Sequence, residues 1–236
     1  TITYSFVKTS DFFEDGYDEP SPEVDSIFAL SGNQQAAVTL ALEQFSNISD
    51  LTFVEVSETV SEVGTLRFGF TDYDMGEDVW GWASSPDTAP GNGDIWVGSH
   101  HADETFIRGK DFNFASTMHE IGHALGLEHP FEGINQLSTA QNYTNYTIMS
   151  YTDPDGVWFD GNYLISSTPM VYDIAAIQHL YGAATYNDGN TTYSYDPAKP
   201  FVEAIWDSGG YDTLDLSNFI KACTINLTPG DYSTIV

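Results

Sequence analysis

Four side chains in one short stretch carry the clearest chemistry: His119, Glu120, His123 and His129 within HEIGHALGLEHP, residues 119–130. Histidines four residues apart on a helix project from one face and can hold one metal ion between two imidazole nitrogens. Glu120 is rotated about 100° round such a helix, within reach of a water on the metal without being a ligand itself. Gly126 tolerates the positive φ of a sharp turn, and the turn brings His129 back as a third nitrogen donor. Three protein ligands leaving room for a water is the arrangement of a catalytic zinc; a structural site is usually closed by four. Zinc lowers the pKa of bound water and polarises a carbonyl, and a carboxylate beside it serves as general base and then acid. The spacing therefore predicts zinc-assisted hydrolysis with Glu120 moving the proton.

These residues need a frame. ITYSFV near the N-terminus alternates apolar and polar residues and reads as a strand within 1–8. Residues 31–48 read as a helix, with Ser31 and Gln34 in capping-box spacing and Val38, Ala41, Leu42, Phe45 and Ile48 at helical intervals. Strands are expected at 51–56, 65–70 and 93–99, and 79–85 (VWGWASS) is expected as an exposed strand edge. A second helix, 111–125, carries His119, Glu120 and His123 and ends at Gly126. Residues 131–168 read as a long irregular excursion. A third helix is expected to open at Pro169, a favoured first helical position, and to stop at Gly182. Beyond it the chain becomes turn-rich, which puts a boundary near 184–200.

Composition limits the function classes. The 236 residues are 41% hydrophobic and 14% aromatic, enough for a packed core. Six basic residues face 35 acidic ones, a formal charge of −29, which disfavours nucleic acid and anionic lipid as partners. No apolar run is long enough to span a membrane, and TITYSFVKTS lacks the basic-then-apolar pattern of a signal peptide. Cys223 is the single cysteine, so no internal disulfide forms.

Around the histidines the chain resembles a known family. HEIGHALGLEHP is similar to the metzincin zinc-binding motif, and its surroundings resemble the serralysins, bacterial RTX-type secreted metalloproteases. YTIMSY, 146–151, resembles the Met-turn, which implies Met149 as an apolar floor beneath the zinc. Tyr151 matches the family tyrosine that ligates zinc at rest, swings away when substrate binds, and stabilises the oxyanion. DIAAIQHLYG, 173–182, resembles the helix that closes the domain; Tyr172 stands where the family often has an acid, and Asp173 is expected to hydrogen-bond the Met-turn backbone. IWDSGGYDTLDLS, 205–217, resembles the entry to a calcium-binding β-roll. There Asp207, Gly209 and Asp212 match calcium ligands, and backbone oxygens of Asn187, Gly189 and Thr191 match the facing loop.

The resemblance implies an α+β fold: a metzincin catalytic domain over 1–184, with a twisted mixed sheet, an exposed edge strand, an active-site helix and a closing helix. Residues 185–236 are then the beginning of an all-β calcium-binding β-roll, truncated because the repeated GGxGxDxUx pattern is not present. It implies a secreted, extracellular, monomeric endopeptidase of broad specificity, with protein or peptide substrates pairing along an edge strand near Trp82 and Ala83. One zinc and at least one calcium are expected. The alternative is a catalytically silent metzincin used as a calcium-dependent binding or adhesion module, which a replaced Glu120 would favour; the glutamate is present.

Overall fold

A computed structural model describes residues 1–13, 22–73, 76, 79–86, 91–155, 158–159 and 162–235. Strands β1 (Ile2–Phe6), β2 (Ile27–Phe28), β3 (Phe53–Glu55), β4 (Leu66–Thr71), β5 (Gly81–Ala83) and β6 (Asp94–Gly98) form one sheet in the order β3-β1-β4-β6-β5. β2 pairs with β4 at Phe70 and Thr71, beyond the stretch of β4 that β1 covers. The β1–β3, β1–β4 and β4–β6 pairs are parallel; β5 runs antiparallel to β6 at the edge. The mixed sheet and its edge strand agree with the expected α+β architecture. The strands at 1–8, 51–56, 79–85 and 93–99 are shorter than their sequence patterns, because a ladder persists only where a neighbour's register continues.

Two helices cover one face of the sheet: α1 (Gly32–Ile48) and α2 (Phe112–Ala124). Ser31 caps α1 with both halves of the predicted box, its hydroxyl accepting from the Gln34 N–H while Gln34 Oε1 accepts from the Ser31 N–H at 2.9 Å. Val38, Ala41, Leu42, Phe45 and Ile48 are buried, as their spacing required, against Tyr4, Phe6, Leu66, Phe68, Ile95 and Val97 from alternate strand positions. The opposite face has an apolar pair, Val7 and Trp96, beside an ionic cluster. Arg67, one of the few basic residues, is buried there with Nε 2.8 Å from Glu58 and its guanidinium 3.7 Å over the Phe13 ring.

The excursion from 131 to 168 contains a short hairpin, β7 (Trp158–Phe159) with β8 (Asn162–Tyr163); positions 156–157 and 160–161 lie outside the described residues. The closing helix α3 spans Val171–Tyr181, so the expected start at Pro169 is corrected. Residues 166–168 are held extended against 202–204: Ser166 bridges Val202, and Ala204 N–H donates to Thr168 Oγ1 at 2.9 Å. Met170 becomes the cap, its N–H donating to Asp173 Oδ2 at 2.8 Å. Gly182, at φ +85°, ends the helix as predicted.

The C-terminal part contributes β9 (Thr192–Ser194) and β10 (Thr213–Asp215), a parallel pair. Val202, Ala204, Trp206 and Tyr232 pack against the main core. Trp206 Nε1 donates to Ala184 O at 3.1 Å.

Candidate metal centre and substrate cleft

The end of α2 explains how three histidines meet. Gly126 has φ +96°; its N–H reaches His123 O at 2.8 Å, and Leu127 N–H reaches back to Gly122 O at 2.9 Å. This is a Schellman closure, which reverses the chain within two residues and delivers His129 to the face carrying His119 and His123. The three Nε2 atoms then stand 3.0, 3.1 and 3.2 Å apart. Among the described residues they form the one group of three His, Cys, Asp or Glu side chains able to share an ion.

Two of the three tautomers are fixed by the backbone. His119 Nδ1 is 2.8 Å from Ile148 O, and His123 Nδ1 is 2.8 Å from Leu127 O. A carbonyl only accepts, so both Nδ1 atoms carry the proton and both Nε2 atoms present lone pairs inward. His129 Nδ1 lies 3.1 Å from a Glu132 carboxylate oxygen, a close approach outside hydrogen-bond geometry. Nitrogens with inward lone pairs this close repel unless a cation sits among them. A tetrahedral ion with bonds of about 2.0–2.1 Å spaces its ligands roughly 3.3 Å apart, so the donor set suits zinc. Burial pushes the His119 pKa down to about 3 and lowers that of His123, which keeps both neutral and ready to ligate.

Beneath the triad, Met149 is 2% exposed. A Cβ built on Gly122 would lie 2.7 Å from Met149 Sδ, so the glycine between the two helical ligands is what lets the methionine approach. The Met-turn is held from the other side by Asp173. This fully buried carboxylate accepts from Thr147 Oγ1 at 2.6 Å, Ile148 N–H at 2.8 Å and Met170 N–H at 2.8 Å. The expected link from Asp173 to the Met-turn backbone is therefore present. Ile148 is clamped at both ends, its N–H by Asp173 and its carbonyl by His119.

Glu120 is buried and shares a cleft of about 490 Å³ with His123, His129, Tyr151, Glu128, Glu132 and the edge strand β5. Burial pushes its carboxyl up to about 8, opposed by a hydrogen bond from the Ala83 backbone. A divalent cation at the triad acts in the opposite sense, favouring the carboxylate. Tyr151 Oη is 2.7 Å from His129 Nε2, on the triad's open side. A smaller cavity of about 120 Å³, lined by Arg108 and Trp206 among others, lies at the junction with the C-terminal part, away from this chemistry.

The two expected substrate residues sit at the cleft rim but differ in role. Gly98 N–H donates to Trp80 O and Ser84 N–H to Asp94 O, so the inward hydrogen-bonding positions of this edge are 80, 82 and 84. Gly81 and Ala83 therefore turn their amides and carbonyls outward. The Trp82 indole lies on the opposite sheet face, packed towards Val7 and Trp96 and edge-on to Tyr73. Alternation along a strand, which the pattern around it left ambiguous, decides this.

The candidate calcium residues come together as two facing loops. Thr191 N–H donates to Asp212 Oδ1 at 3.0 Å, and Gly209 N–H to Asp207 Oδ1 at 3.0 Å. Asp207 Oδ2 accepts from Tyr193 Oη at 2.7 Å. A Cβ on Gly210 would collide with Gly189 O, so the loops touch through backbone. Asn187 sits at φ 51°. Phe131, Glu132 and the Gly122–Met149 contact were not singled out from sequence. Only the glycine inside HEIGH offered a signal.

Comparison with known proteins agrees with this geometry. The matrixin profile of the M10 peptidases matches residues 28–155, and the M10 serralysin C-terminal profile matches 172–236. Serralysin B of Dickeya chrysanthemi is 32% identical over 99% of this chain and 52% of its own length. A serralysin of Proteus mirabilis is 30% identical over 99% of this chain and 53% of its own. The chain spans about half the length of the curated relatives it matches. A helix carrying HEIGH, a glycine turn returning His129, a methionine floor and a serralysin-like C-terminal segment place the chain in the serralysin-type metzincins of the M10 peptidase family.

Proposed function

We propose that this chain is the catalytic part of a secreted zinc endopeptidase that hydrolyses peptide bonds with broad specificity. The single observation that carries the reading is the triad: three Nε2 atoms within 3.2 Å of one another, two with their Nδ1 protons committed to carbonyls. His119, His123 and His129 would hold zinc, with Tyr151 as a displaceable fourth ligand. Zinc in that place supplies Lewis-acid polarisation of the scissile carbonyl and acidifies water. Glu120 accepts the proton of the attacking water and hands it to the leaving amine nitrogen. The Ala83 N–H holds the Glu120 carboxylate towards the cleft, and the Tyr151 phenol donates to the developing oxyanion. The substrate runs as an extended strand along β5, paired to the outward amide and carbonyl of Gly81 and the carbonyl of Ala83. Backbone pairing of this kind reads little of the side chains, hence the broad specificity.

Residues 1–184 form the catalytic unit in this reading and 185–236 the first part of a β-roll. Asp207, Asp212, Gly209 and the backbone oxygens of Asn187, Gly189 and Thr191 take calcium, as hard oxygen donors suit. The protein works outside the cell as a monomer. Its net charge of −29 keeps nucleic acid and anionic membranes away; no helix among the described residues is long and apolar enough to cross a membrane.

The test combines metal content with hydrolysis of unfolded casein, on wild type and Glu120→Ala. We expect one zinc in both proteins and a loss of about 10²- to 10⁴-fold in kcat/KM in the variant. Zinc in both with hydrolysis in neither would sink the protease reading and favour a binding module.

A further inference from the structure

Tyr151 is held in a way that its place in the motif does not explain. It is 69% exposed, and its hydroxyl reaches a single described histidine nitrogen, His129 Nε2. Its ring contacts are His119 (centroids 5.5 Å apart, 23° between planes), His129 (4.7 Å, 58°) and Phe131 (5.2 Å, 52°). Phe131 in turn lies parallel to the His129 imidazole, 5.1 Å away at 6°. This phenylalanine follows Pro130 directly after the third histidine. It therefore touches a candidate ligand on one side and the displaceable tyrosine on the other.

We propose that Phe131 is a positioning residue that sets how firmly Tyr151 is held at the metal site. The inference rests on the reading of Tyr151 as a displaceable ligand. Few restraints hold the tyrosine inward. An exposed tyrosine leaves its position at the cost of one hydroxyl contact and its ring packing. The two histidine rings belong to any site of this geometry, whereas Phe131 is an additional apolar surface. Offset and tilted aromatic pairs contribute beyond simple area burial. By packing on Tyr151, Phe131 favours the inward position, and by stacking on His129 it keeps that imidazole aligned. A substrate that must displace Tyr151 then binds against this preference, since the competent state is only part of the population. Phe131 thus raises KM while keeping the phenol close enough to return to the oxyanion, which sustains kcat.

The test uses the copper(II)-substituted protein, in which an inward Tyr151 gives a phenolate-to-copper charge-transfer band. Tyr151→Phe is the blank. We expect Phe131→Ala and Phe131→Leu to weaken the band, with a population shift of roughly 3- to 10-fold. Phe131→Tyr, which keeps the ring, should restore it. On the zinc protein, KM for a peptide substrate should fall together with kcat in the Ala and Leu variants. Phe131→Leu retains apolar volume, so a general loss of packing is distinguishable from loss of the ring. A band in wild type that stays unchanged in both variants overturns the role of Phe131 alone. No band in wild type overturns the Tyr151 reading, and the proposal with it.

Discussion

The molecule organises its two ends on different physical terms. Through residue 184, side chains from α1, α2, α3 and the sheet meet in a continuous core, and the candidate metal centre is built on its floor. From 185 to 235 no described residue is buried. That segment is held by turn hydrogen bonds, by aspartates gathering backbone N–H groups, and by Val202, Ala204, Trp206 and Tyr232 leaning on the main core. A region with so little buried apolar surface contributes little folding free energy of its own. The two candidate sites therefore draw their rigidity from different sources. The histidine triad is held by packing and buried hydrogen bonds, while the aspartate loops are held by hydrogen bonds at the surface.

The sharpest way to break the contrast is through the buried carboxylate under the Met-turn. Asp173→Ala leaves the Thr147 hydroxyl and the Ile148 and Met170 N–H groups without their acceptor. We expect a loss of about 4 kcal/mol, read as a large drop in Tm that added calcium does not repair. A change under about 1 kcal/mol would mean that the core does not hold the Met-turn in this way.

The aspartate loops should behave oppositely. Asp207→Ala or Asp212→Ala should leave stability in chelator nearly unchanged and remove the stabilisation gained on adding calcium, about 1–3 kcal/mol at saturating ion. Calcium titration followed by thermal melting decides it. An unchanged calcium response in both variants removes the proposed site.

The last contrast is a pH dependence. Burial pushes the Asp173 carboxyl up to about 6 from 3.8, against three opposing hydrogen bonds. With a folded pKa above the unfolded one, the native state binds the extra proton between about pH 4 and 6. The stability this group contributes is full below that window and is lost as pH rises through it. Denaturation of wild type and Asp173→Asn across pH 4–7 should show the deficit of the variant shrinking as pH rises. A constant difference would mean that Asp173 does not titrate in this window.

Much of the metal centre is legible in residues because it is local. His119 and His123 share a helix face by spacing alone, and Gly126 announces the turn that returns His129. The capping box at Ser31 and Gln34 and the buried stripe of α1 are likewise written within a few residues of each other. Strand ends were less legible, since a ladder stops where its neighbour does. The start of α3 is not legible at Pro169, because the pairing of 166–168 with 202–204 that holds the chain extended there lies more than 30 residues away.

The donor types, their order on α2, the glycine turn and the acidic surface are set by residues close together in the chain or by composition. These follow from helical periodicity, backbone sterics and composition. The meeting of distant segments brings Met149 beneath Gly122, holds the Ile148 carbonyl with His119 opposite the Asp173 clamp, and lays Phe131 against both His129 and Tyr151. The same meeting of segments packs the Trp82 indole towards Val7 and Trp96, on the other sheet face from α2, while Gly81 and Ala83 line the cleft. Each of these depends on which distant segments share a surface, and pairwise spacing along the chain does not encode that.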